Sequence, residues 1–286
     1  MKKINNQIEK NFLKKIFVKI CRFCGYEIID QNNLYVPTQK KFLDENLSIA
    51  GKKSITLPLG EVKISRKVKA LTIIFRSCTN VNMLTQNKKR LFDKEKSEYT
   101  FRSLNSIIFS INCAKKKFPE IIFDIIVVDH NSKINDLNQI KKQLNKSQIK
   151  NSIVSLNINE FTDDIKKINA ENKKVSENQI SNMSNIHKSL LLAKKLSSDL
   201  VYFVEDDYLH QKNAFEEMIF AYERISSQTN NELILCPSDY PYLYTKIDPT
   251  SIFLGSTKHW RVIDESLCTF LTSTKILEKH WEKFIS

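Results

Sequence analysis

The 286-residue chain is 41% hydrophobic with 17 Phe, only four Gly and six Pro, which excludes a fibrous or low-complexity protein and can fill a substantial core. Its formal net charge of +13 is unevenly spread: residues 1–69 hold 15 Lys/Arg against 6 Asp/Glu, and the remainder holds 30 against 26. The body is nearly balanced, so a nucleic-acid groove along the whole protein is excluded, and the basic N-terminal arm suits an anionic membrane surface or another polyanion.

In chain order, the first element is a helix from Ile8 to Cys24. Ile8, Phe12, Leu13, Ile16, Phe17, Ile20, Cys21 and Cys24 recur at helical spacing, and Lys10, Lys14, Lys15, Lys19 and Arg22 cover the other side. Gly25 stands where a helix C-terminus wants glycine. Such a helix either lies in a membrane interface or packs its apolar stripe on the body. Cys21 and Cys24 form a lone CxxC without the second pair or neighbouring His of a zinc site. The six cysteines form no dense framework, and no apolar run of about 18 residues is long enough to span a bilayer. Together with the absence of a signal-peptide pattern, this sets the expectation of a cytoplasmic protein, free or peripheral on the inner membrane face. A hairpin is expected at Ser54–Leu57 and Glu61–Ser65 around Pro58-Leu59-Gly60. Residues 1–69 therefore read as an appendage and 70–286 as the main domain.

From residue 70 strands and helices alternate. Leu71–Phe75 reads as a strand ending at Arg76-Ser77, and a helix follows at about Thr100–Lys117. Phe123–Val128 reads as a second strand ending at Asp129-His130-Asn131-Ser132, and a helix follows at about Asn135–Asn145. A weaker strand falls at Ile153–Leu156. The polar, poorly periodic stretch 157–182 reads as a loop. A helix at Asn185–Leu196 leads into the strand Leu200–Val204, and Gln211–Ile225 forms the next helix. A strand at Leu233–Cys236 and a final helix at Ile276–Ile285 complete the pattern. Near-continuous apolar strands alternating with helices imply an α/β fold with a mostly parallel sheet covered on both faces.

The most informative junction is Val204-Glu205-Asp206-Asp207, where an apolar strand runs into three acids. The acids either suit the N-terminus of the following helix or supply hard oxygen ligands for Mg²⁺ or Mn²⁺. Parallel strands put their carboxyl ends on one side of a sheet, so Arg76-Ser77, Asp129-His130-Asn131-Ser132 and the three acids converge there. Arg76 could contact a phosphate or a base, and Asp129 ribose hydroxyls or a base N–H, although Asp-x-Asn-Ser is also good turn chemistry.

At these residues the chain resembles the GT-A class of nucleotide-sugar glycosyltransferases, in the style of family 2. In that class the second strand ends in a short Asp-containing motif and the fourth in Asp-x-Asp, whose Glu-Asp-Asp variant occurs in N-acetylglucosaminyltransferases. The resemblance covers 70 to about 275 and departs at His130-Asn131, where family members often carry Gly. It implies a Rossmann-like fold, a UDP- or GDP-sugar donor, a glycan or lipid-linked hydroxyl acceptor in surface polysaccharide or glycoconjugate synthesis, and a Mn²⁺ or Mg²⁺ ion on Asp207. Glu205 or Asp206 would touch ribose or sugar, and Arg76, Ser77, Asp129 and Asn131 would form the rest of the nucleotide site. An acceptor base is expected after the metal motif, with Asp264 and Glu265 first and Asp239 next. The alternative for Asp264-Glu265 is the first turn of a helix running through Leu267 and Phe270.

Tyr240, Tyr242 and Trp260 are candidates for stacking on an acceptor sugar, and His259 and Arg261 for contact with the diphosphate. The Tyr-bearing loop could equally be a rigid packed turn. Two rival readings stand beside this one. A nucleotidyltransferase of related fold would want a Gly-rich loop after the first strand, which Arg76-Ser-Cys-Thr-Asn80 lacks. A non-catalytic membrane- or polyanion-binding protein would depend on the N-terminal arm alone.

Overall fold

A computed structural model of the chain describes residues 12–26, 63–80, 94–161, 165, 174–238, 240 and 250–285. The chain divides into two units, Met1–Val62 and Lys63–Ser286. In the first, helix α1 (Phe12–Phe23) ends where its glycine predicts. Gly25 takes φ 87°, and the Tyr26 N–H donates back to the Cys21 carbonyl at 2.9 Å. The expected hairpin lies outside the described residues except for 63–65, which are not strand.

The second unit runs β1 (Ala70–Ser77), α2 (Lys96–Lys117), β2 (Ile122–Asp129), α3 (Ile134–Lys146), β3 (Lys150–Ser155) and a 3₁₀ turn (Ile158–Phe161). It continues through α4 (Glu177–Leu196), β4 (Leu200–Glu205), α5 (Ala214–Thr229), β5 (Ile234–Leu235) and the hairpin strands β6 (Ile252–Leu254) and β7 (His259–Arg261). It closes with β8 (Phe270–Ser273), α6 (Thr274–Lys279) and α7 (Trp281–Ile285). Six strands make one sheet in the order β3-β2-β1-β4-β8-β5. The first four are parallel, and β8 lies antiparallel between β4 and β5. This is the mixed α/β, mainly parallel architecture that the alternation implies.

The strands form because their residues suit burial on both faces. All of β1 is buried, from Ala70 to Ser77, and Leu200–Val204 of β4 likewise. Alternate residues feed two cores. On one face Leu71, Ile73, Phe75, Ile125, Val127, Tyr202 and Val204 pack with α2, α3 and α5. On the other, Ile74, Ile126, Val128, Val201 and Phe203 pack with α4, α6 and α7. Each fully buried aliphatic or aromatic side chain contributes about 1.5–3 kcal/mol. Tyr202 adds an edge-to-face contact with Phe215 at 5.7 Å.

Several boundaries differ from expectation, each for a local reason. Helix α2 begins a turn early, at Lys96, and stops at Phe118 before Pro119. The polar stretch after residue 157 is not all loop, because α4 starts at Glu177. Its capping box pairs the Ser176 hydroxyl with the Gln179 N–H, and the Gln179 side chain with the Ser176 N–H. Helix α5 starts at Ala214 and ends on Asn230 in the left-handed conformation, φ 54°. Leu267 lies in coil and Phe270 opens β8, so no helix follows Asp264-Glu265. The last helix is broken at His280.

The segment entering β1 is tied down at the edge opposite the strand carboxyl ends. Arg66 binds Asp199 at 2.6 Å and Glu232 at 3.1 Å, and the Val68 N–H donates to Glu223 at 2.8 Å. Among the described residues, no helix is long and apolar enough to cross a membrane.

Candidate functional site

The sheet order decides where a ligand can sit. From β1 the chain steps outward through β2 to β3, then returns across β1 to place β4 on its other side. This reversal leaves a crevice at the carboxyl ends of β1 and β4, the usual ligand position in open α/β sheets. Arg76 pairs in register with Glu205, and Ser77 with Asp129, so three of the polar strand ends are brought side by side.

The three acids have different environments. Asp206 is 6% exposed and its carboxylate is fully engaged: Lys96 Nζ lies at 2.5 Å, the Thr100 hydroxyl donates at 2.8 Å and the Cys78 N–H at 3.2 Å. Burial pushes its pKa up, with Lys96 and Thr100 acting in the opposite direction. Glu205 is half-buried with Arg76 Nη2 at 3.0 Å. Its pKa is raised, first by burial and then by Asp207 and Asp206, against the pull of Arg76. Asp207 is exposed as a residue, with its side chain as open as that of Glu205, at 33%, and 3.9 Å from Lys96 Nζ. The motif thus offers one outward carboxylate, one shared with an arginine and one locked inward.

The end of β2 forms a clasp. Asp129, 4% exposed, accepts from the Ser77 and Ser132 hydroxyls, each at 2.6 Å. Ser132 in turn accepts from the Thr79 N–H at 2.9 Å, and the Lys133 N–H donates to the Thr79 hydroxyl at 3.1 Å. Asn131 makes the fold-back possible by taking φ 56°, a conformation that Asn tolerates better than most residues. It is exposed, whereas Asp129 and Ser77 are committed to the clasp. The Arg76 guanidinium is buried and also donates to Asn182 at 3.1 Å. Cys78 sits in the same edge, but burial and the nearby Asp206 push its thiol up to about 11, which keeps it protonated at neutral pH.

A second group approaches from the far side of β4. The antiparallel pairing of Phe203 with Phe270 brings the chain just before β8 to the same carboxyl edge. Asp264 and Glu265 lie in that incoming segment, both exposed. The Tyr240 hydroxyl shares a hydrogen bond of 2.7 Å with Tyr208, the residue after Asp207. Asp239 and Tyr242 lie outside the described residues.

The hairpin β6–β7 is held differently. Glu217, in the first turn of α5, is 5% exposed and accepts from the N–H groups of Ser256 and Thr257, the Thr257 hydroxyl and the Trp260 indole N–H at 3.1 Å. Trp260 is therefore anchored through its polar edge to α5. His259 is exposed on β7, and Arg261 is half-buried there.

Sequence spacing does not reveal Lys96, Thr100, Asn182, Tyr208 or Glu217. Lys96 and Thr100 stand one helical turn apart at the start of α2, a pairing that becomes visible once the helix is extended back to its true start. Among the described residues no cluster of three or more His, Cys, Asp or Glu could hold a metal by itself.

No family model matches the sequence, and no curated protein matches it. Among solved structures, residues 1–349 of TarS from S. aureus show a TM-score of 0.38 and 14% identity, over 73% of this chain and 48% of that one. The galactosyltransferase LgtC, in complex with donor and acceptor sugar analogues, shows a TM-score of 0.28 and 11% identity, over 51% of this chain and 41% of its own. The chain thus spans less than half the length of either, and at such scores the likeness assigns no role to any residue.

Proposed function

We propose that the protein is a nucleotide-sugar glycosyltransferase, with the crevice between β1 and β4 as its donor site. The observation that carries this reading is the outward Asp207 at the topological switch point, flanked by an Arg76–Glu205 pair and fixed by the buried Asp206. Asp206 is a positioning residue: by gripping α2 and the Cys78 N–H it fixes the end of β4, and with it the direction of Asp207. Asp207, assisted by Glu205, would hold a divalent cation between itself and the donor's diphosphate. Such an ion supplies neutralisation of the charge that develops on the departing nucleoside diphosphate.

The other residues bind and orient. Arg76 presents a buried cation beside Glu205, and the exposed Asn131 would contact the nucleotide. Tyr208 and Tyr240 form a paired phenol wall next to the acids, suited to an acceptor sugar. Asp264 or Glu265, arriving at the same edge, would accept the acceptor's hydroxyl proton, and His259 and Arg261 would contact the diphosphate. The acceptor class is a glycan or a lipid-linked hydroxyl.

The test is metal-dependent donor hydrolysis. The purified chain is incubated with a panel of UDP- and GDP-sugars in Mn²⁺, Mg²⁺ or EDTA, and released nucleoside diphosphate is measured. Release that requires the metal, and falls on the order of a hundredfold or more in Asp207→Ala, is expected. No metal-dependent release from any donor in the panel overturns the proposal.

A further inference from the structure

The apolar face of α1 has no role in the crevice chemistry. The helix is 12 residues long, about 18 Å, too short to cross a bilayer but long enough to lie along one. At 100° per residue, positions 12, 13, 16, 17, 20, 23 and 24 fall within an arc of about 140°. They hold Phe, Leu, Ile, Phe, Ile, Phe and Cys. The remaining arc holds positions 14, 15, 19 and 22, all Lys or Arg, together with Val18 and Cys21. The helix contains no acidic residue.

The apolar side chains are in the open. Ile16 is 40% exposed, Phe17 61%, Ile20 55% and Phe23 94%, and Tyr26 just beyond the helix is 73% exposed. Four large apolar residues in register on one short helix form a patch, which soluble surfaces seldom leave uncovered without a partner. The charge selects that partner. Residues 1–26 carry seven Lys/Arg against one Asp/Glu, whereas residues 70–286 are near balance. A protein groove would match the apolar stripe alone, while an anionic bilayer also matches the cations that flank it. Phe23 and Tyr26 at the capped end add the aromatic character that suits the headgroup boundary.

We infer that α1 lies in the plane of an anionic lipid surface, with Ile16, Phe17, Ile20 and Phe23 entering the acyl boundary and the basic positions of the other arc on the headgroup side. The attachment is peripheral and salt-sensitive, because it combines a modest apolar area with screened charge. It holds the chain at the place where a lipid-linked acceptor would be found, but it does not depend on that chemistry.

The test is co-sedimentation of the full chain with vesicles of phosphatidylcholine alone or with about a third phosphatidylglycerol, at low and high salt. Binding is expected only to the anionic vesicles, with at least a fivefold drop in bound fraction at high salt. The same drop is expected in the double variant Phe17→Glu, Ile20→Glu and in the quadruple variant Lys14→Gln, Lys15→Gln, Lys19→Gln, Arg22→Gln. Circular dichroism and donor hydrolysis are measured on each variant, so loss of binding with both retained separates this inference from the fate of the active-site reading. Equal binding to neutral vesicles, no binding to either, or binding that neither variant weakens overturns it.

Discussion

Asp206 and Asp207 are adjacent and identical in charge, yet the end of β4 sends one carboxylate under α2 and the other toward solvent. The two should therefore fail differently. Asp206→Ala leaves the buried Lys96 ammonium, whose side chain is 12% exposed, with only the more distant Asp207 carboxylate, and takes an acceptor from the Thr100 hydroxyl and the Cys78 N–H. A loss of about 2–4 kcal/mol is expected in urea unfolding, with activity falling as a consequence. Asp207→Ala should change stability by no more than about 0.5 kcal/mol while abolishing metal-dependent turnover. If the two variants lose the same stability, the division of labour between them is wrong. Asn131 makes a related point. The sequence shows His-Asn-Ser where the resembling class often has a glycine, and the left-handed φ of 56° at Asn131 is how the chain makes its fold-back without one.

At the scale of elements, β1, β2 and β4 are legible because they are buried on both faces and read as unbroken apolar runs. Of the shorter strands, β5 falls inside the expected strand Leu233–Cys236, whereas β6 to β8 are not legible, since three or four residues carry no periodicity. The start of α4 is written in Ser176-Glu-Asn-Gln179, a capping box hidden inside a polar stretch that otherwise reads as loop. Ser176→Ala should cost about 1 kcal/mol, measured by thermal or urea unfolding, and fray the first turn, just before Ser181 and Asn182, which bond His130 and Arg76. The hairpin β6–β7 depends on a carboxylate from elsewhere in the chain. Glu217→Ala removes the acceptor of four hydrogen bonds, so limited proteolysis should cut within 255–259 faster while the far-ultraviolet spectrum of the sheet is unchanged.

For the whole molecule, His210 and Glu232 are two groups whose shifted pKa values bear on acid stability. Burial lowers the His210 imidazole to about 4, beside Tyr202 and Phe215. The unfolded chain takes up a proton near 6.5 while the folded chain refuses it, so stability falls as pH drops from about 6.5 to about 4, by up to about 3 kcal/mol. Burial pushes Glu232 up, but hydrogen bonds from Tyr222 and Arg66, the Arg66 charge and Lys275 together hold it at about 2. Its contribution is present above about 4.5 and disappears as pH falls toward 2. Urea midpoints taken from pH 7 downward should therefore decline in two stages. His210→Phe should flatten the first, and Glu232→Gln the second. A midpoint constant from pH 7 to 4 would contradict the burial of His210.

The α/β class, the parallel core strands, the acid-bearing end of β4 and the amphipathic basic character of α1 can be read along the chain, because all are local patterns of residue type in a regular element. Which acid turns outward and which is locked, the locking by Lys96 and Thr100, the clasp of Ser77 and Asp129, and the return of β8 that brings Asp264 and Glu265 to the same edge emerge only in three dimensions. The physical reason is the range of the interactions. Hydrophobic periodicity repeats every two or three to four residues and is printed in the chain. The Asp206 contacts join residues 106 to 128 positions apart, and such pairings exist only once the sheet order has placed β4 beside β1 and under α2.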